Sequence, residues 1–151
     1  VLLGLAVSAN AQKKSNDVEA IKALIERETK AFFEIDYKTG SDSWSHVPYA
    51  FWSFADTTDV NSFSGWDQIE KGFAEYFRTS KASTAKIERS WLGLEVKVYG
   101  NGAYVRFNQH VKDDSQRPPQ AEIRVLEKVN GKWKIVCVSV IALEKDNEPK
   151  R

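Results

Sequence analysis

Apolar residues recur at helical spacing early in the chain and alternate with polar ones later. Val18, Ile21, Ile25, Phe32 and Ile35 form one stripe with a period near 3.6, so residues 16 to about 37 are expected to form an amphipathic helix. Asn16, with Glu19 three residues on, has the spacing of a capping box at its start. Glu28 falls inside the stripe. Residues 38–47 read as loop or a short helical turn, with Gly40 and Ser41 as breakers, and the aromatic stretch 49–54 has β character. Ser64 is placed to cap a second helix running to about Phe77, in which Trp66, Ile69, Phe73 and Tyr76 share a face.

From there the period changes to two. Residues 86–89 make a candidate short strand, and 91–99 alternate with Leu92, Leu94, Val96 and Val98 on one side. Asn-Gly pairs at Asn101-Gly102 and Asn130-Gly131 mark hairpin turns, joining 91–99 to 103–111 and 122–128 to 132–142. Pro118-Pro119 places a loop between the two hairpins. Helices first and strands afterwards indicate an α+β domain, with helices against one face of a curved antiparallel sheet. At 1.5 Å per residue the first helix is about 33 Å long, enough to cross the whole sheet.

Residues 1–11 stand outside this pattern. They are apolar and uncharged, and end in Ala9-Asn10-Ala11 directly before the polar stretch Gln12-Lys13-Lys14-Ser15. An apolar core followed by Ala-x-Ala reads as the downstream end of an export signal. The absence of Met from the sequence fits a start that lies upstream. The expected organisation is a signal remnant at 1–11, one domain at 12–143 and a charged tail at 144–151, in a periplasmic or secreted protein.

Composition narrows the chemistry. Hydrophobic residues at 42% and charged residues at 28% are ordinary for a globular chain. Lys+Arg 22 against Asp+Glu 21 gives +1, a balance that gives no support for a nucleic-acid or polybasic membrane surface. One Cys and two His leave no disulfide framework and no zinc site, so no metal and no cofactor are expected. No apolar run approaches the roughly 18 residues that a membrane span needs.

Three segments carry a resemblance. Ala103-Tyr104-Val105-Arg106-Phe107-Asn108-Gln109, Glu122-Ile123-Arg124-Val125-Leu126 and Asn130-Gly131-Lys132-Trp133-Lys134-Ile135-Val136 are similar to the nuclear transport factor 2-like superfamily. The pattern looks like the association domain of calcium/calmodulin-dependent protein kinase II and its bacterial SnoaL-like relatives. Ile35-Asp36-Tyr37, Gly65 and Tyr76-Phe77 agree, and the resemblance covers roughly residues 17–141. It implies a cystatin-like cone: a curved antiparallel sheet wrapped around a long N-terminal helix, with a pocket between them. It also implies a homodimer or larger homo-oligomer. Members include isomerases, dehydratases and hydrolases as well as non-catalytic modules, so fold carries over better than function. Arg106 and Arg124 match pocket-lining arginines of the association domain. Two histidine positions of the family's last strand are Cys137 and Ser139 here, and Glu28 stands where an aliphatic residue is usual.

Alternation places Tyr104, Arg106, Asn108 and His110 on one side of their strand. Glu122, Arg124 and Leu126 alternate likewise, and simple hairpin pairing sets them opposite Ser139, Cys137 and Ile135. If the two arginines share a face, their guanidinium forks suit a carboxylate. If not, they pair with Glu28, Glu122 or Asp36, as buried charges must. Glu28 and Asp36 are the general-base candidates, with Arg106 or Tyr104 to stabilise an oxyanion. His110 could act as acid or base but reads more simply as solvated, and His46 lies before Val47-Pro48 in the loop over the expected pocket mouth. Thirteen of the 18 aromatic residues fall between Phe32 and Phe77, the part that would roof the pocket. Trp52 and Tyr76 are expected to line it, while Trp44 and Tyr49 sit in loops where aromatics mark contact surfaces. The leading functional expectation is an exported protein that binds a small, partly apolar carboxylate through Arg106 and Arg124. The alternatives are an isomerase-, dehydratase- or hydrolase-type enzyme and a non-catalytic oligomerisation module.

Overall fold

A computed structural model describes residues 3–83, 86–90, 96–112 and 118–143, with side chains from residue 16 onward except at 89 and 90. The elements run α1 (Leu3–Glu34), α2 (Tyr37–Asp42), β1 (Phe51–Ala55), β2 (Val60–Ser64), α3 (Trp66–Thr79), β3 (Lys86–Ser90), β4 (Lys97–Tyr99), β5 (Gly102–Lys112), β6 (Gln120–Val129) and β7 (Lys132–Ala142). The strands form one sheet in the order β2-β1-β7-β6-β5-β3, with β4 also on β5. Every pairing is antiparallel except β1 with β7. This is the expected α+β cone: helix α1 lies against the concave face, and Ile21, Leu24 and Ile25 pack with Val105, Leu126, Ile135 and Val138 of the sheet.

Local chemistry sets the boundaries. The helix begins at Leu3, so Asn16 lies inside it and caps nothing. It ends before Ile35, whose φ of 61° is left-handed and unusual for a β-branched residue. There the Asp36 N–H donates to the Ala31 carbonyl at 2.9 Å, a bond of the kind that closes helix ends. Asp36 then accepts from the Thr39 N–H at 3.1 Å and caps α2. At the other end of the domain's helix, the Trp133 indole donates to Asp17 Oδ1 at 3.0 Å, and Lys128 Nζ pairs with the same oxygen. This clamp ties α1 to the β6–β7 hairpin.

The cap expected at Ser64 is corrected. Ser64 ends the edge strand β2, and Gly65 occupies the N-cap of α3 without a side-chain bond. Gly65 has φ 82°, and a Cβ there would stand 3.2 Å from the Pro48 carbonyl oxygen. Strand β2 itself was not anticipated, because it is short, polar and mostly exposed. The β6–β7 turn has positive φ at Asn130 and Gly131, as a type I′ turn requires. In the β4–β5 turn Tyr99 pairs with Gly102, so the two turn residues are Gly100 and Asn101 rather than Asn101 and Gly102. Of the expected strand 91–99, residues 91–95 lie outside the described residues, as does the tail 144–151.

A bulge sets the register of the last hairpin. Between Val125 and Leu126 the pairing with β7 shifts by one residue. Leu126 pairs with Ile135, but Arg124 pairs with Val138 and Glu122 with Val140, so the expected partners Cys137 and Ser139 turn to the outer face. Ile135 and Val136 are consecutively buried at the bulge.

Candidate functional site

Two cross-sheet rows build the site on the concave face. The register aligns Trp52, Val138, Arg124 and Val105 in one row, and Phe54, Val140, Glu122 and Phe107 in the next. In the helix above them, Glu28 and Thr29 interrupt the apolar stripe and turn toward the sheet.

These residues make a closed ion cluster. Arg124 Nη1 donates to Glu28 Oε2 at 2.6 Å, and Nε donates to Glu122 Oε2 at 2.9 Å. Arg124 Nη2 lies 2.8 Å from the same Glu122 oxygen and donates to Thr29 Oγ1 at 3.1 Å. Trp44 Nε1 lies 3.4 Å from Glu28 Oε1. Glu28, Glu122 and Arg124 are all at most 5% exposed. Burial works against the charge on Arg124, but Glu122 and Glu28 outweigh it and hold the guanidinium pKa above the usual arginine value. Among the described side chains, two carboxylates face this one guanidinium.

Four sequence-derived candidates take the following places. Arg106 is exposed and pairs with Ile123, while Arg124 pairs with Val105, so the arginines point to opposite faces of the sheet. Tyr104 shares the outer face with Arg106, and neither joins the cluster. Asp36 is exposed and serves as the cap of α2; hydrogen bonds from the Thr39 side chain and backbone hold its carboxyl below the ordinary range. Trp44 is no contact surface: it is 2% exposed, packed against Trp66 and Phe73, and bonded to Glu28.

Trp52 and Tyr76 lie among the half-buried aromatic residues. Trp52 stacks on Phe63 with centroids 5.3 Å apart and meets Phe73 edge-on. Tyr76 stacks on Phe32 at 4.4 Å. Phe32, Trp52, Phe54, Phe63 and Phe77 pack against the core without being sealed in it. His46 stacks on Trp66 at 4.0 Å, and its Nε2 lies 3.0 Å from the Ser41 carbonyl oxygen. His110 faces outward opposite Glu88. Tyr49 is exposed and donates to Glu127 at 2.8 Å.

One residue of the site was missed. Gln109 alternates on β5 with Phe107 and Val111, so its side chain belongs to the concave face. It is 3% exposed, and its Oε1 has no hydrogen-bond partner among the described residues. The available signal was a polar residue on the inward beat of an apolar alternation. Among the described residues, no group of three or more His, Cys, Asp or Glu side chains is arranged to hold a metal. No described helix is long and apolar enough to cross a membrane.

No protein-family model matches the chain, and a comparison with curated proteins finds no match. Solved structures do match. A nuclear transport factor 2-like protein with a cystatin-like fold from Novosphingobium aromaticivorans is 18% identical, with TM-score 0.67, over 95% of this chain and 91% of that one. A putative dehydratase of the same family from Streptomyces avermitilis is 17% identical, with TM-score 0.66, over 87% and 99% of the two chains. A putative calcium/calmodulin-dependent protein kinase type II association domain from Thiobacillus denitrificans is 11% identical, with TM-score 0.66, over 82% and 94%. The chain therefore has the cystatin-like fold of the nuclear transport factor 2-like proteins.

Proposed function

We propose that this is an exported small-molecule binding protein whose ligand lies on the concave face, between the half-buried aromatic rings and the Glu28–Arg124–Glu122 cluster. The observation that carries the proposal is the cluster itself with Gln109 beside it. A fold does not need a buried ion trio for stability, since apolar side chains of similar volume generally serve as well or better. An orphaned buried acceptor costs about 1–3 kcal/mol when nothing donates to it. Charge, an unmet acceptor and half-buried aromatic rings on one concave face are what a ligand site combines.

The carboxylate site built from two arginines has little support. Arg106 faces the other way, and Arg124 is held by three side chains. The enzymatic alternative draws on the putative dehydratase among the similar structures. Against it, both oxygens of Glu28 are engaged, one near the Trp44 indole and one by Arg124, and Asp36 caps a helix on the surface. Export is supported by the apolar residues 1–11 and their Ala-x-Ala ending. A homodimer or larger assembly is supported by the outer sheet face, where Phe51, Ile123, Val125 and Ile141 are exposed.

Native mass spectrometry of the purified protein tests the binding proposal. A retained non-covalent adduct of small-molecule mass is expected, together with thermal stabilisation when that molecule is added back. A chain that carries no adduct and is stabilised by no member of a broad metabolite panel contradicts it.

A further inference from the structure

The geometry points to a ligand that brings a positive charge: an apolar ammonium, with its nitrogen against Glu122 and Gln109 Oε1 and its body along Phe54 and Trp52. This inference rests on the binding proposal above and names the chemical class of the ligand.

Charge is the first reason. Among the described side chains the cluster sets two carboxylates against one guanidinium, so an anion entering beside it would meet two acidic groups. Arg124 has most of its donors committed to Glu28, Glu122 and Thr29, so it has little left for an incoming carboxylate. A cation reverses both terms: it meets two acidic groups, and it is attracted by partners already desolvated by the fold.

An unused acceptor is the second reason. Glu122 pairs with Phe107 across the β5–β6 ladder, and Gln109 lies two residues further along β5. Such diagonal neighbours on one face of a sheet stand about 7–8 Å apart, within reach of one group placed between their side chains. Gln109 Oε1 is a buried acceptor that lacks a donor among the described residues, and an ammonium offers three donors.

The third reason is the surface beside these acceptors. Phe54 shares a row with Glu122, two strands away, and Trp52 shares the neighbouring row with Arg124. Two strand spacings make about 10 Å, the length of a small aryl- or alkylamine. Phe54 and Trp52 are half-buried, so they offer ring surface to an apolar body, and aromatic faces favour a nearby cation.

The test compares three probes of matched shape on the full chain by thermal shift and tryptophan fluorescence: 2-phenylethylammonium, 3-phenylpropionate and neutral 2-phenylethanol. The ammonium is expected to stabilise the protein and the carboxylate to leave it unchanged. Gln109→Leu removes the orphaned acceptor without adding charge, so the unliganded variant should fold and melt at least as high as the parent. It should bind the ammonium about tenfold more weakly, the loss expected for one hydrogen bond to a charged group. Carboxylate binding as tight as ammonium binding overturns the inference, as does ammonium affinity unchanged in Gln109→Leu. If the alcohol or the carboxylate binds and the ammonium does not, the charge assignment falls and the binding proposal stands. If none of the three binds, the charge assignment falls, and the adduct measurement decides the binding proposal separately.

Discussion

Arg124 is the residue on which the interior depends. Its guanidinium is the shared partner of Glu28 and Glu122, so Arg124→Ala leaves two carboxylates buried without a counter-charge. We expect that variant to lose about 3–5 kcal/mol in chemical denaturation, the cost of breaking rather than replacing a buried pair. Arg106→Ala, on the exposed face, should stay within about 0.5 kcal/mol of the parent. Equal losses in the two variants would contradict the opposite-face placement. Asp36 gives a pH signature. Its folded pKa is depressed, so the cap contributes stability above the ordinary aspartate range, near pH 3.9, and that contribution is lost as pH falls through the lowered value. Asp36→Asn should flatten the acid limb of the stability–pH curve; an unchanged limb would remove Asp36 from that role. At this scale the sequence was partly legible. Glu28 stood out because it interrupted an apolar stripe, and Arg124 because alternation set it beside Glu122. Gln109 was not legible, because alternation alone does not show that its beat of β5, and not the one carrying Arg106, faces inward. The pairing of β5 with β6 decides which beat is inside, and that lies across a loop that alternation cannot see through.

At the scale of elements, two contacts hold the layers in place. Asp17 joins α1 to Lys128 and Trp133 of the last hairpin. Asp17→Ala should cost about 1–3 kcal/mol, because it leaves two half-buried donors unpaired. Hydrogen exchange should show faster opening at the Asn130-Gly131 end than elsewhere in the sheet. Uniform destabilisation would contradict the local clamp. Gly72 matters for a different reason. A Cβ there would lie 2.5 Å from the Phe63 ring, which itself stacks on Trp52. Gly72→Ala adds helix propensity to α3 and still should destabilise, by about 1–3 kcal/mol, because the ring has to move. A stabilised Gly72→Ala variant would show that the ring is not seated as described. Most elements could be read from periodicity: the β7 boundaries, the Asn130-Gly131 turn and the second helix follow from apolar spacing and turn chemistry. The bulge at Val125/Leu126 could not, since Ile135 and Val136 read as ordinary strand residues. Strand β2 was illegible because an exposed edge strand carries no apolar alternation.

The whole molecule joins a shared architecture to an individual interior. Its cone is common to proteins under 20% identical to it, so the fold is carried by pattern and not by particular residues. Inside the cone, the described residues include a buried trio of two carboxylates and one guanidinium, an acceptor without a donor among them and a margin of half-buried rings. The outer face is different in character, with Ile123, Val125 and Ile141 exposed beside Arg106. If copies associate there, Val125→Lys should lower the sedimentation coefficient and leave the unfolding transition cooperative; an unchanged coefficient from a multimeric parent would exclude that face.

The claim that a ligand occupies the concave face is tested most directly by amide chemical-shift mapping in ¹⁵N-labelled protein titrated with 2-phenylethylammonium. Concave-face residues, Gln109, Glu122 and Trp52 foremost, are expected to shift in a saturable way while Arg106 and Ile123 stay still. Shifts confined to the outer face, or none at saturating probe, would contradict it.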